Sequence, residues 1–279
     1  MTPGELAESL IAQFGIVDAR DIDLEAIAMD AGVAIEYQQL VGCEATLAGF
    51  EDKAVATIRP SSVRGRERFS IGHELGHWAM HRGRSFRCRV DEPDDNLGPA
   101  KSLERAADQY ASHLLMPGPI FNPAVKEFGR PGFRDIEALA DNFTTSIIAT
   151  CLRMANINIL PVIFACYSPQ KRLLWHVRAT DVPARWYLLN SLSEDSLAYD
   201  LMTKGQQTTT PRKQSADAWF ENDDADNYEM MEHSAPYRQG CILVVLYLNT
   251  NMLFARFDPS VGGRRYTAQG SYVPPRSIR

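Results

Sequence analysis

The chain is poor in cysteine, and what it has is scattered. Cys43, Cys88, Cys151, Cys166 and Cys241 are odd in number and include no Cys-x-x-Cys pair. This argues against a disulfide framework or a four-cysteine metal motif and reads as reduced thiols. No apolar run approaches the roughly 18 residues that a membrane helix needs, and Met1 to Ser9 lack the basic-then-apolar order of a secretory leader. A soluble cytoplasmic protein with no membrane association is expected. Cations are not in surplus either. A net charge of −6 excludes a general nucleic-acid binder, which needs clustered Lys and Arg to neutralise phosphates. There is no internal repeat. What is present is a globular composition, 279 residues and 45% hydrophobic, enough for one large domain or two modest ones.

The most informative stretch is Ser70-Ile71-Gly72-His73-Glu74-Leu75-Gly76-His77-Trp78-Ala79-Met80-His81. It contains His-Glu-x-x-His. Residues four apart share one face of an α-helix, about 6 Å apart along its axis, so the imidazoles of His73 and His77 can converge on one cation such as Zn2+. Glu74 follows the first ligand directly, where a carboxylate can take a proton from water that the ion has acidified. Three fixed letters arise by accident in roughly one chain of this length per hundred, so the surroundings must carry the reading. Phe69, Gly72, Leu75, Gly76 and Ala79 offer an apolar surface that embeds the motif in a core helix. His81, four residues beyond His77, is a competing ligand that would strain a tetrahedral site.

A catalytic zinc takes three protein donors and keeps a position for water. In the stretch 101–117, Leu103, Ala106, Ala107, Tyr110, Ala111 and Leu114 form a helical stripe, with Glu104 and Asp108 one turn apart beside it. Glu104 is the expected third ligand. Asp108 is expected to accept the remaining N–H of a ligating histidine and so fix its ring. Tyr110 and His81 are the candidates for stabilising an oxyanion.

With these two helices in view, the chain resembles the ImmA/IrrE family of zinc metallopeptidases over about residues 1–160. The resemblance rests on Ile71-Gly-His-Glu-Leu-Gly-His with Met80-His81, and on Leu103-Glu-Arg-Ala-Ala-Asp-Gln-Tyr-Ala-Ser-His-Leu-Leu-Met-Pro. It implies a gluzincin-like site with one catalytic Zn2+ held by His73, His77 and Glu104, and Glu74 as the base. It also implies a protein substrate, a helix-turn-helix transcriptional repressor cut at one place in a stress or mobile-element response. The alternative class is a regulatory or sensor protein that binds a repressor without cutting it, with zinc structural.

The rest of the chain predicts an α+β fold. Helices are expected at 4–14 and from Leu24 to Ala31, a strand over 33–37, and a small antiparallel sheet from 45–50 and 54–58 joined at Glu51-Asp52-Lys53. Residues 83–99, rich in Arg and Asp, read as a solvated loop that could border a substrate channel. Residues 136–154 have a helix-turn-helix pattern. The presumed second helix carries only Arg153 as a cation, which weighs against direct DNA binding. From 159 the chain turns strand-rich, with hairpins expected at 160–177 and 241–257, a helix over 184–202, loops over 203–215 and 221–227, and a loose tail over 262–279. His176 and His233 read as structural. The expected organisation is a zincin-like, mostly helical peptidase domain with a small sheet (1–130), a helix-turn-helix-like segment (131–158) and a strand-rich α+β domain with a sensor or regulatory role (159–279).

Overall fold

The computed structural model describes residues 1–62, 64–88, 99–205 and 210–255. The fold is α+β and divides into two compact units. One comprises Met1–Ala124 with Ala138–Thr150, and the other Val125–Glu137 with the chain from Cys151. Residues 131–158 are therefore shared between the two.

In the first unit, α1 (Pro3–Gln13) starts in a capping box. Thr2 accepts from the N–H of Glu5, and the Glu5 carboxylate takes the N–H of Thr2. Helix α2 (Leu24–Asp30) is capped by Asp23. A four-stranded sheet follows, ordered β1 (Val33–Tyr37), β3 (Lys53–Ile58), β2 (Ala45–Phe50), β4 (Phe86–Cys88). It is mixed rather than purely antiparallel: β2 pairs antiparallel with β3 and β4, whereas β1 runs parallel to β3. Strand β4 lies within the stretch expected to be loop, and residues 89–98 of that stretch lie outside the described residues.

Helix α3 (Arg64–Met80) packs on this sheet and on α4 (Pro99–Leu115), which also packs on α1. Their shared core includes Ile27, Leu47, Ile58, Leu75, Trp78 and Leu114. The Trp78 indole N–H donates to the Ala31 carbonyl at 2.8 Å, tying α3 to the end of α2. Ala79, expected on the apolar face, is exposed. After Pro117 come α5 (Gly118–Phe128), α6 (Phe133–Phe143) and α7 (Ile147–Asn156). The turn between the last two passes through Thr144 at φ 51°. Arg153 is 3% exposed, so the lone cation of α7 is not offered to solvent.

The second unit holds a five-stranded antiparallel sheet ordered β6 (Leu173–Arg178), β5 (Val162–Tyr167), β9 (Ile242–Leu248), β8 (Glu229–Pro236), β7 (Arg212–Ser215). The 160–177 hairpin forms as β5 and β6. Three expectations are corrected, and one strand is new. The helix expected over 184–202 is confined to α8 (Leu197–Lys204). The preceding residues lie extended because their backbone groups pair with other segments: Leu189 N–H with the Trp219 carbonyl, Leu192 N–H with that of Lys171. Residues 212–215 are a strand rather than loop. Strand β8 was hidden by its polar residues. Beyond β9, Thr250–Leu253 form one helical turn, α9, so β9 pairs with β5 and β8 instead of with 252–257. The tail over 262–279 lies outside the described residues.

One buried polar cluster anchors this unit. Glu232, 0% exposed, accepts from the N–H groups of Leu197 (3.2 Å) and Ala198 (2.7 Å) at the start of α8, from the Trp219 indole (2.7 Å) and from the Ser234 hydroxyl (2.9 Å). Burial pushes its carboxyl up while the four donors pull it down, and burial prevails. Glu232→Ala strands those donors away from water, and a loss of about 3 kcal/mol or more is expected in urea unfolding followed by tryptophan fluorescence.

Candidate metal centre

The site begins with an unusually close crossing of two helices. Gly72 and Gly76 of α3 face Ala107 and Ala111 of α4. A Cβ placed on Gly76 would lie 3.0 Å from both the Ala107 Cα and the Tyr110 Cβ. Small residues spaced four apart on both helices let the backbones approach. Gly76→Val forces them apart and is expected to weaken metal binding at least about tenfold, as read by competition with a chromophoric chelator.

That approach brings the donors together. The Nε2 atoms of His73 and His77 lie 3.1 Å apart. One Glu104 oxygen sits 3.1 Å from His73 Nε2 and the other 3.3 Å from His77 Nε2. One donor atom from each of the three residues falls within 4.8 Å of the others, and among the described residues this is the group so arranged. His73 and His77 are buried, whereas the Glu104 side chain is 44% exposed. Burial raises the Glu104 carboxyl, but hydrogen bonds and charge from His73 and His77 outweigh it and hold the group at about 2. It is anionic at neutral pH, the form a ligand requires.

Asp108 lies one turn beyond Glu104, with its Oδ1 2.9 Å from His73 Nδ1. A carboxylate there places a proton on Nδ1 and leaves the Nε2 lone pair facing inward. A lone pair, a second imidazole nitrogen and a carboxylate then converge on one point, an arrangement that a cation relieves. The observed separations also fit. Donors about 2.0–2.1 Å from a tetrahedral zinc lie about 3.3 Å from one another.

Glu74 is 0% exposed on the same helix. His81 stands outside the donor group, with its ring 6.3 Å from that of His77 and 5.6 Å from that of Phe86. Tyr110 stands outside the donor group. It is six residues from Glu104, about 120° away around α4 at 100° per residue, packs against Gly76 of α3 and belongs to the apolar core. Burial raises its hydroxyl to about 12, with no charged neighbour contributing. Sequence reasoning missed Phe86, whose ring stacks on His77 with centroids 4.1 Å apart and planes 13° apart. Its signal was slight, one aromatic among arginines.

Crossed helices carrying two histidines and a carboxylate, with a glutamate beside the first histidine, define the class of metallopeptidase-like domains. Residues 28–155 match the family Peptidase_M78, described as the IrrE N-terminal-like domain. Over those residues the chain is similar to that family, and the resemblance to ImmA/IrrE proteins holds. None of the curated proteins matches the chain in sequence. Among solved structures, one described as a Mycobacterium tuberculosis transcriptional regulator aligns with a TM-score of 0.58 at 15% identity. The match covers 97% of this chain and 89% of that one. At that identity the likeness is one of fold. No helix among the described residues is long and apolar enough to cross a membrane.

Proposed function

We infer that this protein is a zinc-dependent endopeptidase that makes a limited cut in a helix-turn-helix transcriptional repressor. The observation that carries this reading is the donor count. Among the described residues His73, His77 and Glu104 offer three donors, the number typical of a catalytic zinc, whereas structural sites are usually closed by four. Bound zinc would polarise the scissile carbonyl and lower the pKa of water. Glu74 accepts the water's proton on its carboxylate and delivers it to the departing amine nitrogen. Asp108 keeps His73 in the tautomer that presents Nε2. The repressor as substrate, the cytoplasmic location and the stress or mobile-element setting rest on the family resemblance.

A second reading, a repressor-binding protein with zinc structural, is favoured by the complete burial of Glu74. The two separate on incubation of the zinc-loaded chain with helix-turn-helix repressors encoded beside it, with products mapped by mass. A single chelator-sensitive cut supports the peptidase. Tight association with the repressor left whole supports the second reading.

A further inference from the structure

The two imidazoles are held differently. His73 Nδ1 has Asp108 at 2.9 Å. His77 Nδ1 is buried and has no hydrogen-bond partner among the described residues. A ligating histidine ordinarily has its ring oriented through that second nitrogen. What contacts His77 instead is the Phe86 ring, nearly parallel at 4.1 Å.

Phe86 is firmly seated. It opens the edge strand β4, where it pairs with Leu47 of β2. Two residues before it, the chain lies so close to β2 that a Cβ on Gly49 would come 2.5 Å from the Arg84 carbonyl oxygen. The Gly49 N–H also donates to the Ser85 hydroxyl at 3.3 Å. An aromatic on a paired strand therefore covers one face of a ligand that lacks an outer hydrogen bond among the described residues. The electronics favour the loaded state. Coordination to a dication makes an imidazole electron-poor, and an electron-poor ring stacks better on the negative face of a phenyl ring.

We propose that Phe86 is a positioning residue for His77, taking by stacking the part that Asp108 plays for His73. This rests on reading His73, His77 and Glu104 as zinc ligands. The test uses the full chain and two readouts, zinc affinity by competition with a chromophoric chelator and the visible ligand-field bands of the cobalt form. Phe86→Leu should weaken zinc binding about 10–100-fold and alter the cobalt bands, while Phe86→Tyr should stay within about threefold of the wild type because the stack survives. Where Phe86→Leu fails to fold, Phe86→Met keeps volume and flexibility without the ring and carries the same expectation. A folded non-aromatic variant with wild-type affinity and bands overturns the proposal, as does a folded Phe86→Tyr variant that behaves like Phe86→Leu. His77→Ala controls for the ligand assignment: retained zinc there sinks that assignment and the proposal with it. Lost zinc there, with Phe86→Leu binding normally, sinks the proposal alone.

Discussion

Glu74→Gln retains zinc and loses cleavage by about 10²–10⁴-fold, the range expected when a general base is removed. The substitution keeps the side chain's size and leaves His73, His77 and Glu104 in place. It takes away the carboxylate proposed as the base. Glu74 is wholly enclosed, so an amide of the same shape fits, and stability should change little compared with the change in rate. Zinc content by atomic emission and cleavage of a repressor by gel and mass are the two measurements. A variant that loses zinc would mean that Glu74 is part of the binding set. A variant that cuts at the wild-type rate would mean that the base lies elsewhere.

Glu104→Ala should weaken zinc binding by at least about a hundredfold, beyond the 10–100-fold that outer partners contribute. The carboxylate spans both imidazoles, one oxygen to each, and it is the sole anion in the donor group. Two neutral histidines alone leave a dication undercoordinated. The difference is also visible as stability. Zinc at 100 times its dissociation constant stabilises the folded wild type by about 2.7 kcal/mol, and a variant that no longer binds at that concentration gains nothing. Melting curves with and without zinc should separate for the wild type and coincide for Glu104→Ala. Asp108→Ala should fall between the two, because it frees the His73 ring without removing a donor.

Much of the centre was legible because helices declare themselves locally. The four-residue spacing of His73 and His77, the stripe through Ala107 and Ala111, and Glu104 beside that stripe all follow from 3.6 residues per turn. Caps such as Asp23 and the Thr2–Glu5 box are local signals of the same kind. Strands and long-range contacts were harder. Strand β4 is three residues long and exists through pairing with β2, which no local pattern encodes. Strand β8 buries Glu232, His233 and Ser234, so its polar letters concealed a core strand. Residues 184–196 carry apolar positions compatible with a helix, yet hydrogen bonds to distant segments draw them out. Tyr110 lies on the correct helix and against Gly76 of α3, but in the apolar core and outside the donor group.

An open position at a bound zinc is what the enzymatic reading requires. Zinc-edge X-ray absorption of the fully loaded protein measures it most directly. The expected result is two imidazole nitrogens, one carboxylate and a lighter exchangeable oxygen that a small anion or hydroxamate displaces. Four protein donors with no displaceable ligand would contradict it, and would leave zinc with a structural role.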